Sequence, residues 1–293
     1  MGGGWERKMD KDVLTLLTRE NSGFSKGQKR IANYIAENYD KAAFMTAGKL
    51  GKAAGVSEST VVRFAAELGY GSYPAMRKAL QELLRGRLTS VQRIEAARET
   101  MDEEHLLDSV IRADMDKLQT TLGECDHAVF SHAADMIAGA RHVYIVGMRS
   151  STCLANFLGF YLNLLRENVH VIQNTAVSAV YEQIMRIGAG DVFVGITYPR
   201  YSRGSARAMG FAKFAGAGTI GITDGENSPF VGVADTLLFA KRDMVSFLDS
   251  LVAPMSLINA LIVAVASRMD NDVESNFRAL ESLWRDYEVY EKQ

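Results

Sequence analysis

Only two cysteines occur in 293 residues, and they stand far apart at Cys125 and Cys153. Neither belongs to a metal-binding spacing, so a disulfide framework and a thiolate metal centre are both excluded, and free thiols in a reducing compartment are expected. Long apolar runs are scarce too. The longest, LVAPMSLINALIVAVA over 251–266, is short for a membrane span and carries Pro254, Ser256 and Asn259, so it reads as a buried helix. The opening MGGGWERK has no apolar core segment. It is not read as a signal peptide, and a cytoplasmic location is expected. Glycine-rich phosphate motifs are missing as well. GMRSST at 147–152 lacks the later glycines of a dinucleotide fingerprint and is no Walker loop.

What is present is an ordinary globular composition, 47% hydrophobic and 23% charged, in a chain long enough for two domains. The net charge of −2 hides an asymmetry. Residues 1–90 hold 15 Lys/Arg against 9 Asp/Glu, a net of +6, and the remainder holds 18 against 26, a net of −8. A basic front on an acidic rear suggests that only the front meets a polyanion.

The front third reads as all-α. Ser25 is placed to cap a helix carrying Ile31, Tyr34 and Ile35. Thr46 caps a short helix with Ala47, Leu50 and Ala54 inward, and Gly55 breaks it. Ser57 then caps a second helix, ended by Gly69, whose Val61, Val62, Phe64, Ala65 and Leu68 are expected to face a core. Two short helices joined at a glycine-containing turn make a helix-turn-helix, whose second helix lays its first turns in the major groove. Ser57, Ser59, Thr60 and Arg63 are the candidate DNA contacts there, joined by Tyr73 and Arg77 of the following helix. Residues 1–88 are assigned to this domain. Residues 89–125 are assigned to a linker and connecting helix, in which Leu106, Val110, Asp114 and Lys117/Leu118 recur at helical steps.

From 126 to 293 the pattern alternates. Candidate strands HVYIVG (142–147), NVHVIQ (168–173), DVFVGIT (191–197), GTIGIT (218–223) and DTLLFA (235–240) are separated by helical stretches at 151–166, 176–187 and 203–215, with another at 249–268. This predicts an α/β domain with a doubly wound, five-stranded parallel sheet. Ligands of such sheets sit beyond the carboxyl ends of the strands, where the strand order reverses. Two strand ends are equipped for an anion: Gly147 with Arg149, Ser150 and Ser151, and Thr197 with Pro199, Arg200, Tyr201 and Ser202. Hydroxyls, helix amides and guanidiniums suit a phosphorylated polyol, although Ser150 and Ser202 also read as ordinary helix caps.

These residues carry a resemblance. GVSESTVVRFAAELGYGSYPAMRKAL (55–80) resembles the helix-turn-helix module of RpiR-type transcriptional regulators. GMRSSTCLA (147–155), GDVFVGITYPRYSR (190–203) and GITDGENSPF (221–230) resemble the sugar isomerase (SIS) domain that follows it in those proteins. The resemblance implies a regulator of sugar or related metabolism, tuned by a phosphorylated sugar or similar anionic metabolite, with a flavodoxin-like strand order in its sensor. Many SIS domains hold phosphate with a Ser-x-Ser-Gly-x-Thr turn after the third strand. Here Thr197 matches the first Ser and Ser202 the Thr, while Pro199 and Arg200 replace the second Ser and the Gly. One hydroxyl is lost and one cation gained, which leaves a non-sugar acid open as the ligand.

The alternative is a phosphosugar isomerase with an appended helical module, which needs a general base. Glu182, on a helical stretch, and His170 and His142, on strands, are the candidates, and each reads better as a surface or packed residue. No catalytic residue, metal site or cofactor is expected. The expected partners are double-stranded operator DNA, a small anionic metabolite and a second or further copies of the chain as homodimer or homotetramer. No membrane is expected among them.

Overall fold

The computed structural model describes residues 23–84, 94, 105–173, 176–241, 249–269 and 272–290. The chain divides into two compact units, Met1–Met101 and Asp102–Gln293. Among the described residues, no helix is long and apolar enough to cross a membrane. Cys125 and Cys153 are free thiols.

The first unit contains α1 (Lys26–Glu37), α2 (Tyr39–Ala42), α3 (Ala47–Ala54), α4 (Glu58–Glu67) and α5 (Tyr73–Leu84). Its helix starts are local chemistry. Ser25 and Gln28 form a capping box, Thr46 accepts from the Lys49 amide and Ser57 from the Thr60 amide. Gly55 closes α3 in the left-handed region at φ 66°. Ile31, Ile35, Leu50, Val61, Phe64, Met76 and Leu80 form the buried centre, and Phe24 meets Phe64 edge to face at 5.2 Å. Val62 is the exception to the expected core face. It is 44% exposed, because Val61, Phe64, Ala65 and Leu68 already fill the inward stripe and residue 62 lies a quarter turn away.

The second unit begins with α6 (Leu106–Glu124) and α7 (His127–Gly139). It continues through β1 (Val143–Gly147), α8 (Ser151–Leu165), β2 (Val169–Val171), α9 (Val177–Ile184), β3 (Val192–Ile196), α10 (Arg203–Phe214), β4 (Gly218–Thr223) and β5 (Thr236–Phe239). It closes with α11 (Val252–Ala266) and α12 (Asp272–Asp286). All five strands are parallel, in the order β2-β1-β3-β4-β5. This is the doubly wound sheet the alternation predicted. The second half of the connecting segment at 89–125 is α6, which packs on α11; 89–93 and 95–104 lie outside the described residues.

Side chains alternate between two cores, as pleated strands require. Val143, Ile145, Val192, Val194, Ile196, Ile220 and Ile222 pack with α7, α8 and α11 on one face. Tyr144, Val146 and Phe193 pack with α9 and α10 on the other, beside Phe230. Phe230 is fully buried over a floor that has no side chains. Gly195 and Gly221 pair across β3 and β4, and a Cβ on either would approach the Phe230 ring at 2.7 and 3.0 Å.

The amino ends of β1 and β3 are tied by a buried carboxylate. Asp191 accepts Arg141 Nε at 2.8 Å, Arg141 Nη2 at 3.0 Å and the Gly188 amide at 2.9 Å. Burial pushes its carboxyl up, but the Arg141 and Gly188 hydrogen bonds outweigh this and hold it below the ordinary Asp range. Its contribution to stability is therefore full above the unfolded Asp value, near ~3.9, and fades as pH falls through the lower folded value. Asp191→Asn is expected to destabilise the second unit at neutral pH, with a gap from wild type that narrows on acidification. Urea denaturation at a series of pH values measures it, and a pH-independent gap would count against the assignment.

Candidate functional site

In the first unit, the start of α4 carries a hydroxyl cluster. Ser57 Oγ caps the helix and lies 2.9 Å from Ser59 Oγ and 2.8 Å from Thr60 Oγ1. One turn on, Arg63 Nε donates to the Ser59 carbonyl at 3.3 Å, and its side chain is exposed. Ser59, Val62, Arg63 and Ala66 follow i, i+3, i+4, i+7 spacing and form one exposed strip. The expected contacts Ser57, Ser59, Thr60 and Arg63 thus come together. Val62 joins them; its signal was that the inward stripe was complete without it.

The expected contact Tyr73 is corrected. Its side chain is 5% exposed, and its hydroxyl donates to the Met45 carbonyl at 2.8 Å. It starts α5 and seals the unit's interior. Burial pushes its phenol up to about 12, with Arg77 pulling slightly the other way. Arg77 itself is half-buried.

In the second unit, both flagged loops lie at the switch point, where β1 and β3 are neighbours and their chains leave in opposite directions. A Cβ at Gly147 would lie 2.3 Å from the Ser151 carbonyl oxygen, so only glycine lets the chain fold back into α8. Thr152 Oγ1 donates to the Gly147 carbonyl at 3.0 Å. Ser150 occupies the cap position of α8 without a side-chain capping bond, and Ser151 is buried. Of the two expected caps, Ser202 is one and Ser150 is not.

At the end of β3, Thr197 is buried and its Oγ1 accepts from the Ser202 amide at 3.2 Å. Ser202 Oγ accepts from the Ser205 amide at 3.4 Å and donates to Met148 Sδ at 2.8 Å. A Cβ on Gly204 would be 2.9 Å from Met148 Cε. Met148 therefore lies across the start of α10 and joins the two loops. Sequence reasoning missed it, since its partner is 54 residues away. Ser205 Oγ is buried with no hydrogen-bond partner among the described residues, which costs stability at the start of α10.

Arg149 and Arg200 both adopt the left-handed region, at φ 57° and 59°, which a residue with a side chain occupies only at some cost. Each sits on the turn after its strand, and each is exposed. Next to Arg200, the Tyr201 hydroxyl donates to Asp224 Oδ1 at 2.9 Å, and Thr223 Oγ1 donates to the same oxygen at 3.4 Å. Asp224 follows β4 and was not anticipated. The arrangement offers hydroxyls, helix amides and two cations for an anionic group, with a carboxylate beside them for a hydroxyl.

The candidate bases stand elsewhere. Glu182 is exposed on α9. His170 pairs in register with Tyr144, three residues before the end of β1. His142 Nδ1 and His170 Nε2 are 3.1 Å apart, with ring centroids at 5.4 Å and planes 23° apart. The rings thus lie end to end and share a hydrogen bond.

Comparison with known proteins agrees with this division. Residues 11–85 match the helix-turn-helix domain of the rpiR family, and residues 136–264 match the SIS domain. An uncharacterised HTH-type transcriptional regulator of Caldanaerobacter subterraneus subsp. tengcongensis is 25% identical over 276 residues, 89% of this chain and 93% of that protein. The sugar isomerase domain of an RpiR transcription factor from Sphaerobacter thermophilus is 28% identical, with a TM-score of 0.58, covering 61% of this chain and 99% of that one. The Vibrio vulnificus NanR protein, solved in complex with ManNAc-6P, shares the fold at 20% identity and a TM-score of 0.57 over 94% of this chain and 98% of that one. A helix-turn-helix unit followed by a SIS sheet defines a transcriptional regulator that pairs a DNA-reading module with a metabolite-type domain. The chain belongs to the RpiR-type regulators of that class.

The corrected role of Tyr73 has a measurable consequence. Tyr73→Phe removes the bond to Met45 and is expected to lower the stability of the first unit by about 1 kcal/mol, read by thermal unfolding. Its DNA affinity below the transition should stay within two-fold of wild type. A large affinity loss without a stability loss would return Tyr73 to the interface.

Proposed function

We propose that the protein is a DNA-binding regulator whose SIS domain senses a phosphorylated sugar or similar anionic metabolite and does not turn it over. The joined loops at the switch point carry this reading: Thr197, Ser202 and Met148 bring the ends of β1 and β3 together beneath Arg149 and Arg200. The phosphate would sit on the α10 amides and hydroxyls of Thr197 and Ser202, with Ser150, Arg149 and Arg200 around it. Tyr201 and Asp224 would face the polyol. Ser151, being buried, would shape the turn rather than touch the ligand. The ManNAc-6P bound by NanR supports the class of ligand. His142 precedes β1 and His170 pairs with Tyr144 near its start, and both therefore lie toward the end of β1 opposite the two loops; with Glu182 exposed on α9, this supports sensing over isomerisation.

Ligand acts on DNA binding through its differential affinity for the DNA-competent arrangement. The chain works as a homodimer or higher assembly, with the apolar helix α11 contributing to the contact, and two helix-turn-helix units then meet two half-sites.

The decisive experiment is a thermal-shift titration with inorganic phosphate, glucose 6-phosphate and N-acetylmannosamine 6-phosphate, each followed by assay for turnover. A ligand at 100 times its Kd stabilises by about 2.7 kcal/mol, and Ser202→Ala is expected to abolish that shift. No shift with any phosphorylated sugar would overturn the sensor reading, and conversion of a ligand would restore the isomerase.

On the DNA side, Arg63→Ala is expected to weaken operator binding by about 1–3 kcal/mol and relax preference at one base position. Fluorescence anisotropy against operator and scrambled duplexes measures this. Unchanged affinity and preference would remove Arg63 from the interface.

A further inference from the structure

Val62 stands on the exposed strip of α4 with no place in the core. Among the described residues 23–84 it is the only large hydrophobic side chain that is exposed. Ala66, one turn on, is exposed beside it. Valine is a poorer helix former than alanine, because its branched Cβ loses rotamer freedom against the preceding turn. Position 62 therefore gives up helix propensity and gains no burial in return.

The strip is also cleared of negative charge. α4 contains two carboxylates, Glu58 and Glu67, and both are drawn to other helices. A Cβ on Gly48 of α3 would lie 3.1 Å from Glu58 Oε2, so that carboxylate rests against α3. Glu67 Oε2 accepts from Gln28 Nε2 of α1. The hydroxyls of Ser57, Ser59 and Thr60 are bonded among themselves. Arg63 Nε is taken by the Ser59 carbonyl. That bond holds the guanidinium back toward the start of the helix and leaves its two Nη groups for an outside partner. The strip thus presents the methyl groups of Val62 and Ala66 next to a guanidinium fork.

Two base edges in the major groove match that pair. Guanine offers O6 and N7 to a bidentate arginine, and thymine offers its C5 methyl to an apolar side chain. A helix rises about 1.5 Å per residue and a duplex about 3.4 Å per base pair, so consecutive residues address one base pair or two neighbours. We infer that Val62 is a specificity-determining residue, which reads the C5 methyl of a thymine in the base pair next to the guanine read by Arg63. The inference rests on the DNA contact by Arg63 proposed above. Thymine is favoured over adenine or cytosine, whose groove-edge amines would meet methyl groups and lose a hydrogen bond. Recognition at this position therefore has a repulsive part as well as an attractive one.

The test starts from duplexes that the full-length protein selects from a randomised library. The enriched site is expected to hold a thymine beside a guanine. Replacing each thymine in turn by deoxyuridine removes only the methyl group. Fluorescence anisotropy is expected to show wild-type affinity falling about four-fold at that one position, the worth of one buried methyl group, and Val62→Ala binding both duplexes alike. Residue 62 is exposed, so the thermal midpoint of Val62→Ala should not fall below that of wild type. Arg63→Ala should lose the preference for guanine and still distinguish thymine from deoxyuridine. Equal binding of wild type to every substituted duplex, or undiminished discrimination by Val62→Ala, would overturn the inference and leave the Arg63 contact in place. A library that yields no enriched site would overturn the DNA-contact reading and this inference with it.

Discussion

Because β1 lies between β2 and β3, the helices that leave β1 and β3 run to opposite faces of the sheet and both begin at one crevice. That pairing is the constraint on which the sensor unit depends. It brings Met148 of one loop onto Ser202 of the other, and each of the two turns carries an arginine in the left-handed region. The Asp191–Arg141 pair holds the far ends of the same two strands. The site is thus open at one end of a strand pair that is closed by charge at the other.

The two units solve different problems with similar local devices. In the first, a side-chain cap starts a helix whose early turns are exposed, and the hydroxyls of Ser57, Ser59 and Thr60 stand together. In the second, the Ser202 cap is drawn into contacts with Met148 and Thr197. The first set of hydroxyls stands exposed at a helix start, while the second is drawn between two strand ends.

Features made of near neighbours were legible in the sequence. Ser25, Thr46, Ser57 and Ser202 cap because a hydroxyl reaches an amide three residues ahead. The five strands were legible because runs covered on both faces are continuously apolar. Features made by distant partners were not. Met148 meets Ser202, Tyr201 meets Asp224 and Tyr73 meets Met45 across 54, 23 and 28 residues. Tyr73 looks like a surface aromatic until its carbonyl partner is known. α6 carries apolar residues on more than one side, and distant contacts, with α11 and with Lys241 over a hundred residues on, decide which side turns inward.

Phe230 lies midway along the loop that begins at Asp224 and runs to β5, and it sits in a space left by two glycines that pair across the sheet. A buried aromatic held this way anchors the middle of the loop, while β4 holds its start, so the first half of the loop is tied to the core at both ends. A preorganised loop spares the entropy of ordering it on binding. Under the sensor reading it would also make discrimination steric: a molecule whose hydroxyl pattern missed Asp224 would meet a loop held by the core.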